Sequence, residues 1–451
     1  MNKRKFSEAV TCVEAKRHNS SMKKNTSLFL LGSCLIFGAN CYAADAAWWT
    51  EADKRIEEYR KAPLHVTVID QQGKKVAGAE VRVAMTRHAF EFGSAVKVAA
   101  INDPKQEDYR QKILELFNSG TFENALKVKA WSGDFGPAVG PESTVQALHW
   151  THENRIKIRG HAMTGNSIRR SSKAFVKLHE EGGKPAIMEA VMKSIDDKAA
   201  QTGFAIDEWD VVNHPVGIQR PGREAAGAGN SQPSGQVFGI EESIGWFERS
   251  RANLPEGRLY LNESGVLPSP EDDSPQVQKY LTWINHVNAS GLLDGVGLQA
   301  HFRGDPDIIS IEGRLNKIAA VGLPIRITEF TLNGSDEEKQ GQFTREFMTL
   351  VFSHPSVVGF QCWGFWEGAI FQPEVAMFRK DWSAKPNGVV YQDLVFEKWW
   401  TDESGRTDRA GDYQTSAFLG EYEISVSTGG KTVMKTHILD KTGETLVIQL
   451  D

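Results

Sequence analysis

Eight short apolar segments alternate with segments of helical periodicity along this chain, and this alternation restricts the possible folds more than any other feature. The apolar segments have the length and composition of β-strands; they cover residues 90–96, 120–126, 156–163, 209–214, 259–263, 296–302, 325–330 and 358–366. Eight strand-then-helix units predict an α/β protein with a (β/α)8 barrel. The chemistry of such barrels lies at the carboxyl ends of the strands.

Capping residues mark two of the helix starts. Ser274 precedes Pro275, which is the order of an N-cap followed by proline at the first helical position. Ser335 and Glu338 have capping-box spacing before the apolar-periodic residues 343–351. We therefore expect one helix to begin after each serine.

The two ends of the chain have a different pattern from the middle. Residues 46–61 predict a short helix, whereas residues 64–69, 78–83 and 418–426 alternate with the period of a β-strand and are flanked by turn glycines. The sequences VIDQQGKKVAGAEVRV and TDRAGDYQTSAFLGEYEISVS resemble the halves of a carboxypeptidase-regulatory-like β-sandwich. This resemblance predicts a barrel at residues 87–400, inserted between residues 44–86 and 401–451, whose strands pair with each other.

Residues 1–43 have the features of an export signal that starts late. Met22 is followed by two lysines, residues 27–39 are apolar, and residues 41–43 are similar to a cleavage site. Residues 31–34 resemble a lipoprotein box, but the apolar run continues past Cys34, which favours soluble export. We expect a secreted or periplasmic protein. Cys362 then remains as the one mature cysteine, predicted to be a small buried apolar residue without a disulfide.

Composition narrows the range of partners. The formal net charge of −6 leaves no basic excess to attract phosphates, so nucleic acid is not expected to bind. No apolar run has the eighteen or so residues of a membrane span. Twelve tryptophans suit stacking against sugar rings. We expect a polysaccharide or oligosaccharide to be the partner of a monomeric protein.

Polar and aromatic side chains follow the predicted strands, at the end where a barrel has its active site. They provide the hydrogen-bond donors and acceptors and the indole rings that bind a pyranose: Glu123, Asn124, Lys127, His161, Asn213, His214, Gln299, His301, Glu329, Trp363, Trp366 and Glu367. The histidines lack the HExxH spacing of a zinc site, and no GxSxG serine elbow is present. We expect neither a metal nor a cofactor.

Residues 85–400 resemble glycoside hydrolase family 10, the retaining β-1,4-xylanases. The matching motifs stand in the family's order: FNSGTFENALK, RGHAM, WDVVN, RLYLNE, GVGLQAHF, IRITEF, QCWGFWEG and DWSAKPNG. The resemblance implies that Glu329 is the nucleophile, that His301 hydrogen-bonds it, and that Asn213 holds the sugar 2-hydroxyl. It also implies sugar contacts by the remaining cleft residues, namely Glu123, Asn124, Lys127, His161, Gln299, Trp363 and Trp366.

The chain departs from the family where a general acid/base glutamate is expected, because His214 stands there. Gly165 and Ile168 replace a tryptophan and a glutamine, and Ser264 replaces an aromatic residue. These exchanges predict a cleft of altered shape beside a retained inner site.

Three interpretations of His214 remain open. The position is inert, or the imidazole donates and recovers the proton itself, or Glu263 or Glu367 supplies the proton instead. The sequence therefore predicts a secreted retaining hydrolase acting on xylan or a related β-linked glycan. The alternative is a carbohydrate-binding protein that has lost catalysis.

Overall fold

The computed structural model describes residues 32–165, 167, 171–217, 238–443 and 445–450, with side chains from residue 46 onward. Most of the predicted signal segment lies outside the described residues, and so do residues 218–237 and Ile168. The chain divides into a unit of residues 1–51 and a unit of residues 52–451.

The first described elements are a long helix and two strands. Helix α1 (Gly32–Arg60) begins earlier than the predicted residue 46, in a stretch rich in alanine, the strongest helix former. It is followed by β1 (Lys61–Ile69) and β2 (Glu80–His88). None of the described helices has the length and apolar character that crossing a bilayer requires.

Eight parallel strands form a closed barrel and confirm the predicted fold class. Around the barrel the order is β10, β3, β4, β5, β6, β7, β8, β9. The strands are β3 (Glu91–Val96), β4 (Ser119–Phe122), β5 (Lys157–Gly165), β6 (Glu208–Asn213), β7 (Arg258–Glu263), β8 (Gly295–Arg303), β9 (Ile325–Asn333) and β10 (Val357–Cys362). Strand β4 ends at Phe122, four residues before the predicted end.

Helices alternate with the barrel strands. They are α2 (Val98–Asn102), α3 (Glu107–Leu116), α4 (Val128–Trp131), α5 (Pro141–Glu153), α6 (Lys173–Thr202), α7 (Ile240–Asn253), α8 (Pro275–Ala289), α9 (Ile308–Ala319), α10 (Glu337–Ser353) and α11 (Pro386–Asp393). Ser274 caps α8 as predicted, since its side chain accepts a hydrogen bond from the Val277 N–H. The predicted cap of α10 is wrong by one residue: Asp336 caps it, by accepting from Lys339 N–H.

Strands from the two ends of the chain pair with each other in two small sheets. The remaining strands are β11 (Asp402–Arg406), β12 (Asp412–Phe418), β13 (Gly420–Thr428), β14 (Lys431–Leu439) and β15 (Thr445–Gln449). Strand β1 lies between β12 and β15, and β2 lies between β11 and β13, with β14 outermost. The predicted strand at 418–426 is confirmed over residues 420–426, which lie in β13, whereas Phe418 ends β12, because the chain passes from one sheet to the other at Leu419.

An aromatic cluster joins this module to the barrel. Trp399 stacks on Phe352 with ring centroids 4.2 Å apart and lies parallel to Phe92 at 6.0 Å. The Arg60 guanidinium lies over the rings of Phe90 and Phe352, at 4.9 and 5.4 Å. Phe418 of β12 lies 6.1 Å from Phe352 between ring centroids, so aromatic rings from both parts of the molecule meet in this cluster.

Candidate active site

Glu329 lies in the middle of β9 and is buried, with 5% of its surface exposed. Its Oε2 accepts a hydrogen bond from His301 Nε2 at 3.0 Å, while Thr331 Oγ1 lies 2.9 Å from the other ring nitrogen of His301. Burial alone would raise the pKa of Glu329, but the His301 hydrogen bond and the nearby positive charges, Lys127 among them, lower it to about 2. The carboxylate is thus ionised at any ordinary pH.

His161 links Glu329 to Asn213 across the mouth of the barrel. Its Nε2 lies 3.6 Å from Glu329 Oε1 and 3.4 Å from Asn213 Nδ2, and its Nδ1 lies 2.7 Å from Asp210 Oδ2. Burial lowers the pKa of His161 despite the two carboxylates. A ring that donates from Nδ1 to Asp210 can accept a hydrogen bond from the Asn213 amide at Nε2.

Asp210, the hydrogen-bond partner of His161, belongs to a buried network of charged groups. Arg159 donates to both oxygens of Asp210, and its Nε donates to Glu208 at 2.8 Å. Arg326 pairs with Glu208 from the opposite side of the barrel, at 2.6 Å. Each buried charge therefore has an oppositely charged partner, as burial requires.

Three amides form a second part of the site. Asn213 Oδ1 accepts from Gln299 Nε2 at 3.1 Å and from Asn262 Nδ2 at 3.2 Å. Asn262 Oδ1 in turn accepts from Thr328 Oγ1 at 2.8 Å. These contacts cross four neighbouring strands, β6 to β9, and fix the orientation of the Asn213 amide.

Lys127 lies next to this group. Its ammonium is 5.4 Å from the Trp363 ring centroid and donates to Asn124 Oδ1 at 3.2 Å. The Trp363 ring has edge contacts with His161 and His301, at 5.6 and 6.4 Å between centroids. The residues around Glu329 are thus joined, through His161 and His301, to Trp363, Lys127 and Asn124.

Glu123 and Trp366 form a separate group nearby. Glu123 pairs with Lys97, and the Lys97 N–H donates to Tyr109 Oη at 3.0 Å. Trp366 lies 5.9 Å from the Tyr109 ring and stacks on Trp382 at 4.5 Å. Of the predicted site residues, these two contact the neighbouring elements rather than Glu329 in the described structure.

His214 follows Asn213 directly, at the end of β6, in a left-handed backbone conformation with φ 58°. Its N–H donates to Asn262 O at 2.8 Å. Its Nδ1 lies 3.3 Å from Glu263 Oε1 and 3.3 Å from Ser264 Oγ. The imidazole is therefore held on one side, and its side chain is 15% exposed.

Residues 81–391 match the family model described as glycosyl hydrolase family 10. The chain belongs to glycosyl hydrolase family 10.

Relatives of this family 10 chain include proteins of more than one description. It is 29% identical over 391 residues to the anti-sigma-I factor RsgI6 of Acetivibrio thermocellus, covering 85% of this chain and 47% of the relative. It is 23% identical over 373 residues to endo-1,4-beta-xylanase 3 of Arabidopsis thaliana, covering 82% of this chain and 46% of the relative. The chain thus spans about half the length of the curated relatives it matches.

Solved structures share the fold of this family 10 barrel. Xylanase 10B from Thermotoga petrophila RKU-1, in complex with xylobiose, superimposes with a TM-score of 0.58 at 19% identity, over 69% of this chain and 95% of that one. Native xylanase 10B from Thermotoga maritima superimposes with a TM-score of 0.57 at 20% identity, over 69% of this chain and 96% of that one.

The two carboxylates considered as substitutes for the family 10 acid are engaged elsewhere. Glu263 is fully buried, and its oxygens accept main-chain hydrogen bonds from Val216 and Ser264, both at 2.7 Å. Glu367 pairs with Lys385 at 2.6 Å, and this hydrogen bond lowers its pKa against a small effect of burial. Both carboxyl groups are thus already bound by donors of the protein.

Several supporting residues of the family 10 site were missed from the sequence. These residues orient His161, Asn213 and His301: they are Asp210, Arg159, Asn262 and Thr331. The first three lie in motifs quoted above, and Thr331 directly follows one. The available signal was Asp210 itself, because an acidic side chain in a buried strand needs a partner of its own. Among the described residues, no group of three potential metal ligands occurs, and Cys362 is buried without a disulfide.

Proposed function

We propose that this chain is an exported, retaining glycoside hydrolase that cleaves xylan or a related β-1,4-linked glycan, with Glu329 as nucleophile and His214 as acid/base. The state of Glu329 carries the proposal. Its Oε2 is held by His301, while its buried Oε1 has no hydrogen-bond partner among the described residues. An ionised oxygen held in place without a hydrogen bond is suited to attack an anomeric carbon.

The first step of the proposed reaction forms a glycosyl ester. Glu329 Oε1 attacks C1 of the sugar, and the bond between C1 and the glycosidic oxygen breaks with its electron pair going to oxygen. The protonated imidazole of His214 gives its Nε2 proton to that oxygen, and the leaving chain departs as an alcohol. The imidazole is then neutral.

The second step releases the sugar with its original configuration. The neutral His214 Nε2 accepts a proton from water while the water oxygen attacks C1, and the ester bond to Glu329 breaks. Glu329 is again ionised and His214 again protonated. Asn213, fixed by Gln299 and Asn262, supports the proposal as the donor to the sugar 2-hydroxyl.

Trapping of the ester tests the role of Glu329. A 2-fluoro xylobioside with a dinitrophenolate leaving group should release one equivalent of dinitrophenol and leave the sugar on Glu329, as located by peptide mass spectrometry. Glu329→Gln should abolish labelling and lower turnover by roughly 10⁴-fold or more. Absence of both the burst and the label in the wild-type protein would contradict the proposal.

Carbohydrate binding without hydrolysis is the second candidate. It is favoured by the histidine at position 214 and by the similarity to a protein named as an anti-sigma-I factor. His214→Glu separates the two candidates: activity on xylo-oligosaccharides should fall if histidine is the working acid/base, and should first appear if catalysis has been lost. Calorimetric titration with xylohexaose checks that both proteins bind sugar.

Export rests on the sequence of residues 22–43 alone. Expression of the full chain, followed by cell fractionation and N-terminal sequencing, should find a protein that begins close to residue 44 outside the cytoplasm. An uncleaved cytoplasmic protein would contradict this part of the proposal.

A further inference from the structure

Glu263 is held more tightly than any other group around His214. It ends β7, beside the strand that carries His214, and none of its surface is exposed. The Ser264 N–H donates to Oε1 and the Val216 N–H donates to Oε2, each at 2.7 Å. A buried carboxylate bound by main chain at both oxygens cannot rotate or move toward the cleft.

The same carboxylate faces the inner nitrogen of His214. Glu263 Oε1 lies 3.3 Å from His214 Nδ1, and Ser264 Oγ lies at the same distance. A carboxylate only accepts hydrogen bonds, so Nδ1 carries a hydrogen and donates it. The remaining nitrogen, Nε2, is then the one that exchanges a proton with the substrate.

We propose that Glu263 is the positioning residue of His214: it fixes the Nδ1–H tautomer and stabilises the positive charge that the ring carries before each proton donation. This inference rests on the proposed function, because it assigns a partner to the proposed acid/base. It also gives the residue a role different from that of a substitute acid. The balance of the two steps is unchanged, since Glu263 neither gains nor loses a proton.

A purely structural role for Glu263 is the competing explanation, since its bond to Val216 N–H also anchors the turn after β6. The two roles differ in their dependence on the leaving group. Departure of dinitrophenol needs no proton, whereas departure of phenol does. The kcat/KM value reports the first step, in which the leaving group departs.

The experiment compares Glu263→Gln with the wild-type protein on phenyl and 2,4-dinitrophenyl β-xylobiosides. We expect kcat/KM for the phenyl substrate to fall by about 10²-fold, the effect of a misplaced catalytic group, and that for the dinitrophenyl substrate to stay within about threefold. Glu263→Asp keeps the charge and should recover part of the loss. Glu271→Gln, an exposed residue of the loop after β7, is the matched control and should leave both values unchanged.

His214→Ala, alone and combined with Glu263→Gln, separates the two proposals. If His214→Ala does not slow the phenyl substrate selectively, the proposed function fails. A different result overturns only the role of Glu263: His214→Ala slows the phenyl substrate selectively, but Glu263→Gln either leaves that substrate unaffected or slows both substrates equally. If Glu263 acts through His214, the double variant should have the same kcat/KM for the phenyl substrate as His214→Ala. If Glu263→Gln does not fold, as judged by circular dichroism, the same comparison is made with Glu263→Asn, which also removes the charge and whose failure to show the selective loss overturns the inference.

Discussion

At the scale of single residues, the carboxyl of Glu329 is governed by two opposing effects. Burial favours its neutral form, and the hydrogen bond from His301 with the surrounding positive charge favours its ionised form. The second effect prevails and lowers the pKa to about 2. A lowered carboxyl pKa adds stability above the unfolded value of 4.5, and this contribution is lost as the pH falls toward about 2.

Removal of His301 should therefore raise the pKa of Glu329. For His301→Ala we expect the acidic limb of kcat/KM on 2,4-dinitrophenyl β-xylobioside to move to higher pH, because Glu329, the proposed nucleophile, is then protonated at a higher pH. The pH profile between 3 and 7 measures this shift. His286→Ala, a histidine of α8 that lies outside the site, is the control, and an unmoved acidic limb in His301→Ala would contradict the prediction.

The sequence identified the residues that have motifs of their own, such as Glu329, His301 and Asn213. It named Glu263 only as a possible substitute acid and not as a partner of the His214 ring, because the two residues are 49 positions apart and their contact depends on the register of β6 against β7. Thr331 escaped notice for a similar reason, since a threonine on a strand gives no chemical signal until its partner is known.

At the scale of elements, α6 is joined to β5 through one buried lysine. Lys198 is fully buried, and its Nζ donates to the carbonyl oxygens of Ala162 and Met163, at 2.8 and 2.9 Å, directly after His161. Burial lowers the pKa of Lys198 to about 7, against a smaller effect of Asp197. A neutral amine has two N–H groups, so the neutral form can satisfy both carbonyls.

Stability should consequently rise with pH above about 7. Between about 7 and 10.5 the unfolded chain binds a proton at Lys198 that the folded chain does not, which adds roughly 1.4 kcal/mol for each pH unit. Lys198→Met should remove this slope, as measured by urea unfolding between pH 7 and 9.5. Lys193→Met, at an exposed position of the same helix, should retain it. Equal slopes in all three proteins would contradict the assignment.

Element types were predictable, and several boundaries were not. The eight barrel strands follow from apolar composition, but the end of β4 and the change of sheet at Leu419 depend on tertiary pairing. Gly420 shows why: it has φ 158°, and a Cβ there would lie 2.2 Å from Arg87 O. The close approach of another strand imposes that break, and local periodicity does not report it.

At the scale of the whole molecule, Arg60 joins the terminal module to the barrel. Its guanidinium donates to the carbonyl oxygens of Phe352, His354 and Val357, at 2.5, 2.7 and 2.8 Å, which belong to the end of α10 and the start of β10. Burial lowers the pKa of Arg60 to about 10. The residue remains charged at neutral pH and donates hydrogen bonds to three carbonyl oxygens, of which that of His354 also accepts from the Val357 N–H.

Arg60→Ala should destabilise the protein by about 3 kcal/mol, because three carbonyl oxygens lose a hydrogen bond from the guanidinium and two rings lose a cation. Thermal and denaturant unfolding measure the change. Arg82→Ala is the control: Arg82 also forms an ion pair, with Asp402, but it is exposed and should have no measurable effect. A similar melting temperature for both variants would contradict the role assigned to Arg60.

The pairing of β1 with β15 has a mechanical consequence. The two strands are parallel over five register pairs, from His65 with Thr445 to Ile69 with Gln449. A pull on residue 61 against residue 449 therefore loads these hydrogen bonds in shear, so that they resist together instead of breaking one after another. The barrel, inserted between the two strands, carries no tension until that contact ruptures.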